Sequence, residues 1–486
     1  MKSYKSLLFL SLVPALTLAS CYHEFPGGGG GAGGGGGTGT QFVNVLLTST
    51  PSSTFSFASL NWQIGSVNIT NSAGVAVPLG TTVGVVIPDF VRMQTDSIYM
   101  SHTTLATTSY TSLQVEFNAP LSGYIYNNSN ATLFSGANAC SPGTVCPIPS
   151  TVPGFSSSSV TIPITYTPSA ASTGGIRINL DLSKAVTTAG ADGITFDFTQ
   201  AGAITLIPLP TTSSQASVID TIDNFTGVVT AVTSSTVTVA SYEFDARTFS
   251  IASTDEFDDP FTICPQPATI SCLAVGQNVS IDGIVNNTAT SSPFTVNEIE
   301  FLDAAPAVGE LEGVIISTPA NNQFKIALSN GVGLSNFFVG TTTIVNLNGA
   351  ETYLVDPKEL GITDIANPGF QSQADLVLGQ TVMIQGGTVN DNNTSINNPT
   401  RVLLRYSSIG GAVQTPSGTT FTLGSPSFAG PFNLSLAVQT FPNTAYDNIT
   451  GFSGLSGVNN ASVRALLLNP NSNVQFPLLA AKVRTH

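Results

Sequence analysis

Apolar residues recur at every second position along most of the chain. This spacing places one face of a β-strand in a core and the other in water. The clearest case is Ile176–Leu182, which alternates strictly between apolar and polar residues. Clusters of Gly, Pro, Asn and Ser separate such runs, as turns require. The pattern predicts an all-β protein.

The first part of the chain carries several short runs of this kind. They are Phe42–Leu47, Leu60–Ile69, Val83–Ile87, Leu113–Phe117, Val160–Tyr166 and Ile194–Phe198. Short strands separated by turn residues over this length favour a β-sandwich, which we assign to residues 41–210. A segment of Pro, Thr and Ser follows, and we expect a linker at 211–225.

The remainder of the chain repeats itself. Leu273–Gly283 aligns without gaps with Leu376–Gly386, and both read Leu-x-x-Gly-Gln-x-Val-x-Ile-x-Gly. A Gly-Val opening precedes each copy, a further strand closes each, and a more degenerate third copy starts near Gly411. About five or six strands per repeat favour a small closed barrel of the OB-like type. We therefore predict barrel repeats at 226–304, 309–406 and 410–486.

The N-terminus has the layout of a secretory signal. Lys2 and Lys5 precede an apolar run, Leu7–Leu18, that is too short to span a membrane. The ending Leu-Ala-Ser-Cys21 resembles the bacterial lipobox. That resemblance implies a signal peptide at 1–20 and acylation of Cys21, with palmitate-type chains as the anchor. Cleavage after Ala19, which would leave Cys21 as a thiol, is the alternative.

Residues 21–40 are expected to form a tether. Gly27–Gly39 is glycine apart from Ala32 and Thr38, which is typical of a flexible coil with a mean reach of about 20 Å. No Gly-Lys-Ser/Thr sequence is present, so a phosphate-binding loop is excluded. Since Tyr22 rather than Asp follows the cysteine, the lipobox resemblance implies anchoring in the outer membrane, facing the periplasm or the surface.

The charge of the chain limits its partners. It carries 13 basic and 28 acidic residues, for a net charge of −15. An acidic surface repels phosphate backbones, so nucleic acid is not expected as a partner. No cofactor-binding motif stands out, and we predict no cofactor.

The remaining cysteines fall into two close pairs, Cys140 with Cys146 and Cys264 with Cys272. Close pairs around turn residues in an exported chain predict local disulfides, each worth about 2 kcal/mol. Zinc binding requires a different spacing, so we predict no metal site.

Few residues offer catalytic chemistry. His102 is the one histidine inside a predicted domain, with Asp89 and Asp96 near it in sequence, but no Gly-x-Ser-x-Gly frames a nucleophile. The acidic run Asp255–Asp259 lacks EF-hand spacing and is interpreted as a solvated loop. We predict no catalytic residue.

Aromatic side chains are candidates for a surface on which a sugar ring stacks. Trp62 alternates with Leu60 and Ile64, which favours a core position over a platform. The other candidates are tyrosines, namely Tyr99, Tyr110, Tyr124 and Tyr126.

Two stretches resemble families of unknown function. The Gly-Val opening and the repeated Gly-Gln motif resemble a small β-barrel repeat of exported bacterial proteins. Leu60–Ile69, Gly74–Leu79 and Arg177–Lys184 resemble a second uncharacterised family that often follows a lipobox. Neither resemblance implies an activity or a functional residue.

These features favour a lipid-anchored protein with a binding or structural role, the repeats serving mainly as a spacer. A glycan is the first ligand to test, because small barrels bind oligosaccharides across one face; a surface protein is the other candidate partner. Two alternatives remain: a secreted carbohydrate-active hydrolase and an assembly factor for an outer-membrane complex.

The anchor is tested by replacing Cys21 with Ser. Because the serine cannot form the thioether to diacylglycerol, we expect the variant to move from the membrane fraction to the soluble fraction of a bacterial host. A variant that stays as membrane-bound as the wild type would place the anchor elsewhere.

Overall fold

The computed structural model confirms the all-β prediction. Its description covers residues 39–79, 88–168, 175–188, 193–209, 218–241, 246–253, 255–258, 264–265, 268–286, 294–302, 310–332, 339–355, 357–362, 365, 369–390, 394–424, 435–472 and 474–486. Residues 39–486 cluster as one compact unit. None of the helices in these ranges is both long and apolar enough to cross a bilayer. The signal, Cys21, the tether and the predicted strand Val83–Ile87 lie outside the described residues.

Eleven strands and one short helix build the first module. The strands are β1 Thr40–Thr50, β2 Ser56–Asn71, β3 Ala76–Pro78, β4 Ile98–Ala106, β5 Tyr110–Tyr126, β6 Val145–Pro147, β7 Ser158–Tyr166, β8 Gly175–Asp181, β9 Val186–Thr187, β10 Thr195–Phe196 and β11 Ile204–Leu209. The helix is α1, Leu182–Ala185, and the Asp181 side chain caps it by accepting from the backbone N–H of Ser183.

These strands form the predicted β-sandwich. One sheet has the order β11-β8-β1-β4, and the other has the order β3-β2-β5-β6 with β7 added on β5. Their inner faces share one apolar core. Trp62 lies at its centre, fully buried, with its ring 5.0–6.2 Å from five phenylalanine rings. Its Nε1–H donates to the carbonyl of Asn118, so the core prediction for Trp62 is confirmed.

The remaining strands form three further groups. The first group is β12 Val218–Val232, β13 Thr236–Ser241, β14 Arg247–Ser250, β15 Glu256–Asp258, β16 Asn278–Asn286 and β17 Phe294–Phe301. The second is β18 Glu310–Ile315, β19 Gln323–Val332, β20 Thr342–Asn346, β21 Thr352–Val355, β22 Thr381–Gln385, β23 Thr388–Val389, β24 Ser395–Asn397 and the start of β25 Arg401–Ser417. The third is the rest of β25 with β26 Thr420–Gly424, β27 Leu436–Asp447, β28 Asn460–Leu467 and β29 Leu478–Thr485.

Short 3-10 helices occur between strands. They are Arg92–Gln94, Gly136–Asn138, Ile270–Cys272, Lys358–Leu360, Gln373–Asp375 and Phe452–Leu455.

All three groups follow one topology. In the first, which we call barrel 1, β13-β12-β16-β17 pair in antiparallel order and β14 closes the circuit by pairing parallel to β17. In the third, barrel 3, β25-β26-β27 and β25-β28-β29 meet where β27 runs parallel to β29. The strand order 1-2-3-5-4 with a parallel 3–5 pair is that of the OB fold, which confirms the predicted small barrels. The predicted linker at 211–225 is wrong for residues 218–225, because β12 of barrel 1 begins at Val218.

Barrel 2, the second group, has the same order, but two of its positions are divided. Strands β20 and β21 share the third position, and β24 and β25 share the fifth. Strand β20 pairs parallel to β24, and β21 pairs parallel to β25. Strand β25 then continues into barrel 3, so one 17-residue strand belongs to two barrels. The backbone hydrogen bonds of β25 therefore couple the two barrels directly.

The repeated Gly-Gln motif has a specific role in each of the first two barrels. Gly276 and Gly379 adopt φ angles of +94° and +84°, a region that side chains with a Cβ disfavour. The next residue closes the turn: Gln277 Oε1 accepts from the Ala274 N–H, and the equivalent glutamine, Gln380, does the same for Val377, both at 2.7 Å. The shared motif is thus a turn that leads into the fourth strand of the barrel.

The barrels pack against the sandwich instead of following it as separate beads. Leu46 and Tyr99 belong to the apolar cluster of barrel 1, while Tyr124 and Tyr126 belong to that of barrel 2. Tyr99, Tyr110, Tyr124 and Tyr126 are all less than 9% exposed, so the prediction that tyrosines form a stacking platform is wrong for these four residues.

The two cysteine pairs differ. Cys140 and Cys146 form the predicted disulfide, with Cα atoms 5.8 Å apart. Cys264 and Cys272 are not joined by a disulfide, so the second predicted bridge is absent from the structure. Both are thiols in the apolar cluster of barrel 1, where Cys264 is buried and Cys272 packs at the edge. Proximity in sequence indicated the pair, but apolar packing accounts for both side chains.

Candidate functional site

Arginine side chains contact other modules of the fold where the modules meet. We call these arginines and their carboxylate partners the ionic junction; the arginines are Arg92, Arg177, Arg405, Arg464 and Arg484. Arg405 on β25 is its centre. Its Nη1 donates to Glu300 Oε2 of barrel 1 at 2.7 Å, and its Nε lies 3.9 Å from Glu312 Oε2 of barrel 2. All three side chains are less than 9% exposed. Arg405 therefore links barrel 1 to barrel 2 through charges that are removed from water.

Arg464 on β28 makes an equivalent link from barrel 3. Its Nε lies 3.6 Å from Asp96 Oδ1 of the sandwich, and its Nη1 pairs with Glu359 of barrel 2. Its guanidinium also lies over the ring of Tyr406, 4.6 Å from the ring centroid. One buried cation thus contacts two other modules and an aromatic face, a combination that suits the planar guanidinium.

Arg484 on β29 holds the sandwich through backbone groups as well. Its Nε donates to Asp447 Oδ2 at 2.6 Å, within barrel 3. Its Nη1 donates to the carbonyls of Met93 and Asp96 at 3.2 Å each, and its Nη2 donates to Ser97 Oγ at 3.0 Å. Three of these four bonds cross to the sandwich.

Asp447 receives a second arginine, from the sandwich. Arg177 Nη2 on β8 lies 3.2 Å from Asp447 Oδ2. A second arginine of the sandwich, Arg92, lies 4.0 Å from Glu312 of barrel 2. Every module therefore contributes at least one charge to a pair with another module.

The loop around the 3-10 helix Arg92–Gln94 is fixed by Asp89. Its Oδ1 accepts from the N–H groups of Leu60 and Val91, and its Oδ2 accepts from Ser59 Oγ, all at 2.9 Å. These bonds orient the loop whose carbonyls bind Arg484. Burial raises the pKa of Asp89, although its hydrogen bonds and the nearby charge of Arg92 oppose the shift.

Two narrow clefts open beside Tyr406. One is lined by Ser280, Asp282, Glu298, Glu300, Glu359, Leu404, Arg405 and Tyr406. The other is lined on its polar side by Asp89, Arg92, Glu312, Thr381, Ser407 and Ser408. Their cavity volumes are ≈ 10 Å³ and ≈ 40 Å³, space for about one to three water molecules. Neither has room for a sugar ring.

Three carboxylates of these clefts, Glu300, Glu312 and Glu359, are not arranged as the pair that glycoside hydrolysis needs. That reaction requires one acid and one base or nucleophile on either side of a substrate. Glu300, Glu312 and Glu359 each contact an arginine instead, in clefts that exclude a substrate. The described ranges also contain no group of three or more His, Cys, Asp or Glu residues that could hold a metal ion.

The structure describes part of the group that a triad would use. The backbone of His102 lies on β4 opposite Asn44, and its side chain is outside the described set. Asp89 binds the loop described above, and Asp96 contacts Arg92 and Arg464. Asp96 is therefore part of the ionic junction, while Asp89 holds the neighbouring loop through hydrogen bonds.

The acidic run Asp255–Asp259 is only partly a loop. Glu256–Asp258 form β15, which pairs parallel to β17, and Asp255 Oδ2 accepts from the backbone N–H of Ala252. Asp259 lies outside the described residues. The interpretation as a wholly solvated loop is therefore wrong for the central residues.

The ionic junction was missed by sequence reasoning, although a signal was present. In a chain with only 8% charged residues, Arg405, Arg464 and Arg484 interrupt otherwise apolar strand sequences. An arginine at such a position must find a partner, because burial of an unpaired charge is costly. No sequence rule identifies that partner. Arg405 and Arg464 find carboxylates in other modules, and Arg484 bonds to backbone carbonyls of the sandwich as well as to Asp447 of its own barrel.

No protein-family model and no curated protein matches the chain. The two family resemblances and the lipobox therefore remain predictions from the motifs that carry them.

Replacing Arg405 with Ala tests the ionic junction. The variant would leave Glu300 buried without its partner, so we expect the free energy of unfolding to fall by about 3–5 kcal/mol. Lys325→Ala, at an exposed position of β19, is the matched control and should change it by less than about 0.5 kcal/mol. Urea unfolding measures both. Equal, small effects would contradict the assigned role of Arg405.

The raised pKa of Asp89 predicts that the free energy of unfolding depends on pH. Because burial raises its pKa in the folded state, the stabilising contribution of its protonated form is complete below pH 3.8 and is lost as pH rises through the folded pKa. Asp89→Asn keeps an oxygen acceptor without the charge, so its stability relative to wild type should increase over that pH interval. Asp89→Ala, which orphans buried donors, should lose about 1–3 kcal/mol throughout. Urea unfolding across pH 4–8 separates the outcomes. A difference in stability between Asp89→Asn and wild type that stays constant with pH would refute the shift.

Proposed function

We propose that the chain is an exported lipoprotein, anchored through Cys21, whose folded body is a non-catalytic binding module at the bacterial outer membrane with an oligosaccharide as its ligand. The anchor rests on the lipobox-like ending, the basic n-region and the glycine-rich tether. The binding role rests on the distribution of polar groups in the described part of the chain. There, the arginines of the ionic junction and their carboxylate partners contact each other, and strands β13 and β14 of barrel 1 carry uncharged hydroxyls.

The observation that carries the proposal is a row of hydroxyl groups on barrel 1. Thr238 of β13 and Thr248 of β14 lie opposite each other, and their Oγ1 atoms are 2.8 Å apart. The neighbouring pair Thr236 and Ser250 continues the row, and Thr233 bonds to Thr236 at 2.7 Å. These strands are the second and third of the barrel, the face on which OB folds bind extended ligands.

A hydroxyl row suits a sugar because each hydroxyl both donates and accepts, as sugar hydroxyls do. The net charge of −15 disfavours nucleic acid, the other extended ligand of such barrels.

The corresponding faces of the other barrels differ. In barrel 2, the corresponding groups are amides, and Asn346 bonds to Gln323 and to Asn397. In barrel 3, the Gln439 side chain donates to Thr419 Oγ1 and to the carbonyl of Thr440. We place the glycan on barrel 1 because its row consists of hydroxyls, which match the hydroxyls of a sugar.

The test is a glycan array with the full-length protein in detergent, followed by affinity measurement on any hit. Thr238→Val with Thr248→Val removes two hydroxyls and preserves shape, so we expect affinity to fall on the order of tenfold or more, at about 1 kcal/mol per bond. The matched control is Thr420→Val with Thr422→Val on the second strand of barrel 3, which should bind like wild type.

A hydrolase substrate panel with the same protein tests the alternative. Turnover that disappears on His102→Ala or Asp258→Asn would overturn the non-catalytic proposal. If the array detects no glycan while a membrane pull-down captures an outer-membrane complex, the ligand class is wrong and the assembly role replaces it.

A further inference from the structure

The turn between β20 and β21 contains an Asn-Gly sequence in an unusual hydrogen-bond arrangement. The chain has two such sequences, Asn330-Gly331 and Asn348-Gly349. Asn348, Gly349 and Ala350 are exposed, and Gly349 has a φ of +84°. Glycine after asparagine leaves the backbone nitrogen unhindered, because it has no Cβ.

Two groups contact the atoms that would react in this turn. The Gly349 N–H points to the Glu351 carboxylate, with its nitrogen 3.0 Å from Oε2 and 3.2 Å from Oε1. The side-chain oxygen of Asn348 accepts from the backbone N–H of Ala350 at 2.8 Å. A carboxylate thus lies on the nitrogen that must lose a proton, and an N–H donor lies on the oxygen that must gain charge. These are the positions of a general base and of an oxyanion donor.

We infer that Asn348 is a site of self-catalysed deamidation through a succinimide. Glu351 accepts the Gly349 N–H proton while that nitrogen attacks Cγ of Asn348. The Ala350 N–H stabilises the charge on Oδ1. The Cγ–Nδ2 bond then breaks, and ammonia leaves with the proton that Glu351 returns.

Water completes the reaction by adding to either carbonyl of the ring, which yields aspartate or isoaspartate. The chain exchanges ammonia for water and gains one negative charge. Isoaspartate also places an extra methylene in the backbone of the turn. The modified turn follows Leu347, next to the amide contacts of Asn346 on barrel 2.

The second Asn-Gly sequence is a control within the same chain. Asn330 and Gly331 lie in β19, where their backbones pair with Glu312 and Leu311 of β18. The sheet fixes this backbone, so the Gly331 nitrogen does not reach the geometry of attack without local unfolding. Folding should therefore protect Asn330 and promote the reaction of Asn348.

The experiment is to age the purified full chain at mildly alkaline pH and to follow both sites by peptide mapping with mass spectrometry. We expect conversion of Asn348 to isoaspartate and aspartate with Asn330 unchanged in folded protein, and comparable conversion of both in urea. Asn348 should react faster folded than denatured, because the two catalytic contacts exist only in the folded turn. Equal or slower reaction in the folded state would overturn the inference.

Glu351→Gln separates catalysis from simple exposure. It retains an oxygen acceptor for the Gly349 N–H but cannot take its proton, so the rate should fall on the order of tenfold, less than the effect of a general base in an enzyme. Asp375→Asn, at another half-buried acidic residue on barrel 2, is the matched control and should react at the wild-type rate. An unchanged or faster rate in Glu351→Gln would show that Glu351 is no base.

Discussion

Arginine–carboxylate pairs buried between modules fix how this fold is assembled. Arg405 and Arg464 together contact barrels 1 and 2 and the sandwich, and Arg484 adds bonds to backbone carbonyls of the sandwich. A buried pair of charges contributes little net stability over apolar packing, but removal of one partner is costly. Such pairs therefore select one arrangement of modules over others, because any displaced arrangement would leave a charge buried and unpaired.

This constraint explains where the few charges of the chain are used. Five of the 13 basic residues are arginines that pair across modules. The acidic excess of the chain is not neutralised by these pairs. The low charge fraction in the sequence is thus compatible with a high density of charge at the places where modules meet.

Polar side chains of this fold have three kinds of surroundings. Ionisable groups in the junction contact each other, in clefts that admit only water. Uncharged hydroxyls and amides line the outer strands of the barrels, where they meet solvent and any ligand. The turn at Asn348 is a third case, in which a surface carboxylate contacts a backbone N–H with no arginine in the interaction. The chemistry of each group depends on whether another module covers it.

The sequence by itself determined the elements of the fold. Period-two alternation identified the strands, the Gly-Gln motif identified the repeats, and the alternation of Trp62 with Leu60 and Ile64 placed it in the core. These are local properties, because strand faces and turn glycines are set by neighbours in the chain. The disulfide between Cys140 and Cys146 is a local property too, because a separation of six residues keeps the two cysteines close to each other.

Only the tertiary structure decided how those elements meet. Arg464 and Asp96 are 368 positions apart in number, and no local pattern links them. Three of the tyrosines that the sequence left as surface candidates, Tyr99, Tyr124 and Tyr126, are interface residues because barrels 1 and 2 pack on the sandwich, while Tyr110 lies in the sandwich core. The sequence predicts separate repeats that end at 406 and start at 410, whereas one strand, Arg401–Ser417, belongs to both barrels. Contacts between distant segments depend on the positions of whole modules, and burial of a charge or a ring is known only when those positions are fixed.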